Sequence, residues 1–84
     1  SPMEETKLKD QRENIENLLA QLPEQERQVL ILRFGLDESS PKTLVAIGEE
    51  FSLTRERIRQ IEGSALKRLR KIMQKNKLTL SEFI

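Results

Sequence analysis

The sequence predicts an all-α fold of four to five helices built around a helix-turn-helix, on three observations. Apolar residues at Leu8, Ile15, Leu18, Leu19 and Leu22 recur at helical spacings of three, four and seven. Residues 44–61, LVAIGEEFSLTRERIRQI, place Leu44, Ile47 and Phe51 at helical spacing. The period breaks at Ser52-Leu53 and resumes with Ile58 and Ile61. Thr54 stands where an N-cap hydroxyl belongs, just before a run of good helix formers. Two short helices sharing one apolar face across a tight turn make a helix-turn-helix.

Taken in order, residues 4–22 read as a core-facing helix whose other positions are charged or amide. Because the chain reads as a piece of a longer one, this helix is also a candidate for binding a partner. Pro23 fits the first position of a second helix, where its missing N–H is no loss. Glu24 and Glu26 then suit the positive end of that helix dipole, while Leu22 in the capping slot offers no side-chain oxygen. Val29, Leu30 and Leu32, with Ile31 and Phe34, form the most apolar stretch of the chain. Ile31 lies off any single stripe, so this helix is either central to the core or shared with a partner. Gly35 is placed to end it.

Residues 36–42 (LDESSPK) read as a polar loop, after which Thr43 caps the first motif helix. Gly48 leaves room for a close crossing and Leu53 plugs the corner. Ser52 occupies the turn position where glycine would enter left-handed backbone more cheaply. The last long helix is expected to run from Thr54 to about Lys75. It buries Ile58, Ile61, Ala65, Leu66, Leu69 and either Ile72 or Met73, with Gly63 a mild weak point. Residues 76–84 read as a turn and a short returning helix through Leu80, Phe83 and Ile84. Ser1-Pro2-Met3 reads as a cloning remnant, leaving 4–84 as one domain with its helix-turn-helix over 43–74.

Composition narrows the function. With 84 residues the chain makes one small domain, near the size at which a single core is marginal. It has no cysteine and no histidine, so neither a disulfide framework nor a Cys/His metal site is expected. Catalysis would fall to Glu, Asp or Lys, and no carboxylate pair lies in an apolar setting. The three glycines are isolated and form no phosphate loop. No enzyme, metal or cofactor is therefore expected. No apolar run approaches the roughly 20 residues that span a bilayer, and the composition fits a cytoplasmic protein.

The net charge of +1 hides an asymmetry. Residues 1–40 carry five basic side chains against nine acidic ones, and residues 41–84 carry ten against five. The basic half is the half with the motif. Within it, Arg55, Glu56, Arg59 and Gln60 point away from Ile58 and Ile61. Arginine reads guanine edges, glutamine reads adenine, and glutamate accepts from cytosine N4. That is the docking face of a helix-turn-helix, although any solvated amphipathic helix carries such residues outward. Farther along, Arg57, Lys67, Arg68, Arg70, Lys71 and Lys75 lie on the outer side. Phosphate contacts are expected from Arg57 and part of this run, although basic residues late in a helix are favourable whatever the function.

LRFGLDE followed by TLVAIGEEFSLTRERIRQIEGSALKRLR resembles the C-terminal domain of bacterial primary and primary-like sigma factors, over roughly residues 22–71. The resemblance implies binding to the −35 element of double-stranded promoter DNA while attached to RNA polymerase core. It implies base contacts from Arg55, Glu56 and Gln60, and backbone contacts near Arg33, Leu44, Thr54, Arg57 and Arg59. It implies docking on the polymerase β-flap tip, or on a regulator, through Val29, Leu30, Leu32, Phe34 and Leu69. Arg59, Lys67 and Arg70 fall where activators touch such domains.

Departures are also present. Ser64 replaces the lysine and Gln25 the arginine usual in housekeeping members, and the tail KIMQKNKLTLSEFI lacks their His-Pro break. That tail resembles the stationary-phase or general-stress branch. Two rivals stand beside this reading. One is a helix-turn-helix of another regulator class, such as a response-regulator output domain, which would dimerise on paired half-sites where a sigma domain acts as a monomer. The other is a protein-interaction module held by an anti-sigma factor or another regulator, with DNA binding secondary.

Overall fold

The computed structural model describes residues 14–75, and among them the chain forms four helical stretches and no strand. These are α1 at 14–19, α2 Glu24–Phe34, α3 Leu44–Phe51 and α4 Arg55–Lys75. Leu8, the first part of the predicted N-terminal helix and the returning helix over 76–84 lie outside the described residues.

Helix ends follow local chemistry. α1 closes in tight turns, with the Gln21 N–H donating to the Leu18 carbonyl (3.1 Å) and Leu22 to Leu19 (3.0 Å). Pro23 is one residue earlier than predicted: it is the N-cap of α2, with extended ψ and no side-chain bond, while its carbonyl accepts from Arg27 N–H at 2.9 Å. Lacking an N–H and restricted in φ, proline serves as a helix lead-in as well as a first helical residue. Gly35 ends α2 in the left-handed conformation, φ 65°, and the Leu36 N–H returns to the Ile31 carbonyl at 3.1 Å. Thr43 caps α3 through its Oγ1, which accepts from Ala46 N–H at 3.1 Å.

The core has two chambers with α2 and α4 as their common walls. In the first, Leu19, Leu22, Leu30 and Ala65 are buried, with Ile15, Ile31, Leu66, Leu69 and Ile72 packed against them. The second buries Val29, Ile47, Ile58 and Ile61 under Leu32, Leu44, Phe51 and Leu53. This explains why α2 is apolar nearly all round: Leu30 and Ile31 face one chamber, Val29 and Leu32 the other. Ile31, off any single stripe, is half-buried at the edge of the first chamber. Truncating Ile47 or Ile58, both fully buried, to alanine should cost about 2–5 kcal/mol.

At the far end of α4, Met73 is buried and Ile72 half-buried. Among the described residues no helix is long and apolar enough to cross a membrane.

Candidate nucleic-acid interface

The turn between α3 and α4 sets the geometry of the exposed face. Ser52 takes the left-handed conformation, φ 55° and ψ 42°. The Leu53 N–H then donates to the Gly48 carbonyl at 2.8 Å, and the Ser52 N–H to that of Glu49 at 3.4 Å. These are the two bonds of a Schellman closure, so the chain reverses sharply with its carbonyls satisfied. Gly48 permits this for a reason different from the predicted one. What crosses it closely is the turn backbone at Leu53 rather than the body of the second helix: a Cβ on Gly48 would stand 2.5 Å from the Leu53 carbonyl oxygen.

Thr54 then starts α4, its Oγ1 accepting from Arg57 N–H at 3.1 Å and its carbonyl accepting from Ile58 N–H at 3.0 Å. With Ile58 and Ile61 inward, Arg55, Glu56, Arg57, Arg59 and Gln60 are all exposed. They are not equivalent. Arg55 has no hydrogen-bond partner among the described residues. Arg57 Nη1 reaches Gln60 Oε1 at 3.4 Å, a long contact. Arg59 forks onto Glu56, Nε to Oε2 at 2.9 Å and Nη2 to Oε1 at 2.6 Å. That pair holds the Glu56 carboxyl below the usual glutamate range and raises the Arg59 guanidinium.

The remaining predicted residues divide by role. Leu44 is half-buried at the start of α3, packed against the second chamber. Arg33 is half-buried and tied down: its Nε meets Glu62 Oε1 at 3.3 Å and its Nη1 donates to the Lys42 carbonyl at 3.0 Å. Arg68 is exposed on the outer basic face, as predicted, and from there also reaches Glu26 of α2, with Nε to Oε1 at 3.0 Å and Nη2 to Oε2 at 3.4 Å. Lys67, Arg70, Lys71 and Lys75 stay exposed along the same helix.

In the predicted docking set, Val29 and Leu30 are 0% and 1% exposed and belong to the domain's own core. This corrects their assignment to an outer surface, because an α-helix between two chambers spends those positions inward. Leu32 and Leu69 are half-buried, and Phe34 is exposed. Val45 and Leu36 are also exposed apolar residues. The sequence carried a signal for Val45, which is apolar but one position off the Leu44–Ile47–Phe51 stripe.

Fold and face together define a helix-turn-helix domain whose second helix presents Arg, Glu and Gln to solvent at its N-terminal end. Residues 18–71 match the family described as Sigma-70, region 4. The chain belongs to that family. RNA polymerase sigma factor RpoS of Coxiella burnetii is 49% identical over 73 residues, covering 87% of this chain and 21% of that protein. RNA polymerase sigma factor SigA of Microcystis aeruginosa is 58% identical over 59 residues, covering 70% of this chain and 14% of that protein. RNA polymerase sigma factor RpoD of Helicobacter pylori is 53% identical over 62 residues, covering 73% of this chain and 9% of that protein. The chain thus spans about a fifth of the first of these relatives and less of the others.

Proposed function

We propose that this domain reads the −35 element of bacterial promoters as part of an RNA polymerase sigma factor, and so directs transcription initiation. The observation that carries the reading is the solvent-facing first turn and a half of α4, in a chain of the sigma-70 region 4 family. Arg55, with no hydrogen-bond partner among the described residues, pairs bidentately with guanine, while Glu56 and Gln60 read neighbouring bases. Thr54, Arg57 and the N-terminus of α4 hold phosphates that fix the register. Leu44 and Arg33 lie toward the flanking backbone. The domain acts as a monomer on one site, in the cytoplasm.

Docking on the polymerase β-flap falls to Phe34, with Leu32 and Leu69 beside it, over a core supported by Val29 and Leu30. Arg59, Lys67 and Arg70 are the positions offered to activators. The match to the RpoS relative over 73 residues supports the stationary-phase branch. The exposure of Phe34, Leu36 and Val45 favours a second reading, in which an anti-sigma factor or other regulator holds the domain.

The test is a fluorescence-anisotropy titration of a duplex carrying a TTGACA-like site against a scrambled duplex, at two salt concentrations. Preference for the site that is lost in Arg55→Ala, at a cost of about 1–3 kcal/mol, supports base readout by α4. Equal binding to both duplexes, falling steeply with salt, leaves phosphate contacts only and sinks the reading.

A further inference from the structure

We propose that Arg59 is a specificity-determining positioning residue, which aligns and charge-neutralises the Glu56 carboxylate so that Glu56 can accept from a cytosine amino group. The inference rests on the base-reading role given to α4 above. It reassigns Arg59 from a phosphate contact to a residue acting through its neighbour.

The argument starts from an electrostatic difficulty. Duplex DNA carries one negative charge per about 1.7 Å of its axis, so a bare carboxylate is repelled from the groove it must enter. Glu56 is not bare. Arg59, three residues on and one turn along the same face, donates from Nε to one carboxylate oxygen at 2.9 Å and from Nη2 to the other at 2.6 Å. Both side chains are more than half exposed, so the fork contributes little to folding. Its consequence lies at the surface. The fork fixes the plane of the carboxylate; of its roughly four lone-pair sites the fork takes two and the Gln60 side chain draws on a third, so at least one remains for a base.

The other arginines of this turn do not do the same. Arg55 has no hydrogen-bond partner among the described residues, and Arg57 makes only the 3.4 Å contact to Gln60. The chemistry demands arginine. Lysine would keep the positive charge, and with it any phosphate contact, but an ammonium is a point charge that cannot form the two parallel bonds.

The experiment compares the 84-residue chain with Arg59→Lys, Arg59→Ala, Glu56→Ala and Arg55→Ala. Anisotropy titrations use the TTGACA-like duplex and single-base-pair variants of it, over a range of salt. Glu56→Ala identifies the base pair read by that residue as the one where discrimination, about tenfold in the parent, disappears. The expected result is that Arg59→Lys binds the matched duplex with a parental salt slope yet discriminates at that base pair no better than Glu56→Ala. Arg59→Ala is expected to lose the same discrimination, while both Arg59 variants keep the discrimination that depends on Arg55.

Parental discrimination in Arg59→Lys would overturn the inference. So would uniform weakening of all duplexes in Arg59→Ala with the ratio intact, because Arg59 would then hold only a phosphate. If the parent chain discriminates at no base pair, the base-reading role of α4 fails first and takes this inference with it. If Arg55 discrimination survives but Glu56→Ala changes nothing, the inference fails alone.

Discussion

The Leu53 carbonyl oxygen lies over the Cα of Gly48, 2.5 Å from where a Cβ would stand, while the Leu53 N–H returns to the Gly48 carbonyl at 2.8 Å. The atom in the way is backbone and cannot rotate aside, so Gly48→Ala must displace the turn. The expected cost is about 1–3 kcal/mol by chemical denaturation, with weaker duplex binding because α4 is re-aimed. Gly63 is the contrast: a Cβ there meets nothing within 4 Å. Gly63→Ala should stabilise by about 1 kcal/mol through helix propensity alone.

Ser52 stores the other part of the turn's strain. A non-glycine residue at φ 55° brings its Cβ close to the following carbonyl. Ser52→Gly is expected to raise stability by about 0.5–1 kcal/mol, the gain being reduced by glycine's freer unfolded chain. A higher urea midpoint with an unchanged slope would register it. A β-branched residue at the same position should lower the midpoint.

Arg33 joins three parts of the fold: the end of α2, Glu62 on α4 and the Lys42 carbonyl just before α3. Because Glu62 is only 17% exposed, losing its partner leaves a poorly solvated carboxylate. Arg33→Ala is expected to cost about 1–2 kcal/mol, and Arg33→Ala with Glu62→Gln less than the sum of the single changes. Additivity in that double-mutant cycle would mean that the contact carries no coupling.

Glu56 gives a pH signature. The Arg59 hydrogen bonds, and then the charges of Arg59 and Arg55, hold its carboxyl below the ordinary glutamate value of 4.5. A depressed folded value means that the pair's contribution is present above the unfolded pKa and is lost as pH falls through the folded one. Carboxyl-carbon NMR should therefore show Glu56 titrating below 4.5 in the parent and moving upward in Arg59→Ala. An unmoved titration in that variant would show that Arg59 does not hold the carboxylate in solution.

Local punctuation made much of the fold legible. Thr43 and Thr54 cap the helices they were expected to cap, and Gly35 ends α2 with positive φ. α4 is helical without a break from Arg55 to Lys75, the last described residue. These features depend on residues within four positions of one another. The exposed face of α4 was legible for the same reason, since Ile58 and Ile61 pointing inward force Arg55, Glu56, Arg59 and Gln60 outward.

Long-range partners were not legible. Arg33 and Glu62 are 29 positions apart, and Arg68 and Glu26 are 42 apart. No periodicity distinguishes Arg68, which reaches Glu26 of α2, from Lys67 beside it, and both are exposed. Nor could pattern alone say which residues of α2 are buried and which exposed.

By itself, then, the sequence determined most of the helix ends among the described residues, that those residues are all-α, and which side of α4 is exposed. Those outcomes follow from backbone capping and helical period, which act locally. Only the tertiary structure decided that Val29 and Leu30 are spent inside, that the turn backbone rather than α4 crosses Gly48, and that Arg33 and Arg68 are clamps. Burial and ion pairing depend on which helix lies across the way, and that is fixed only when α2 and α4 close the two chambers together.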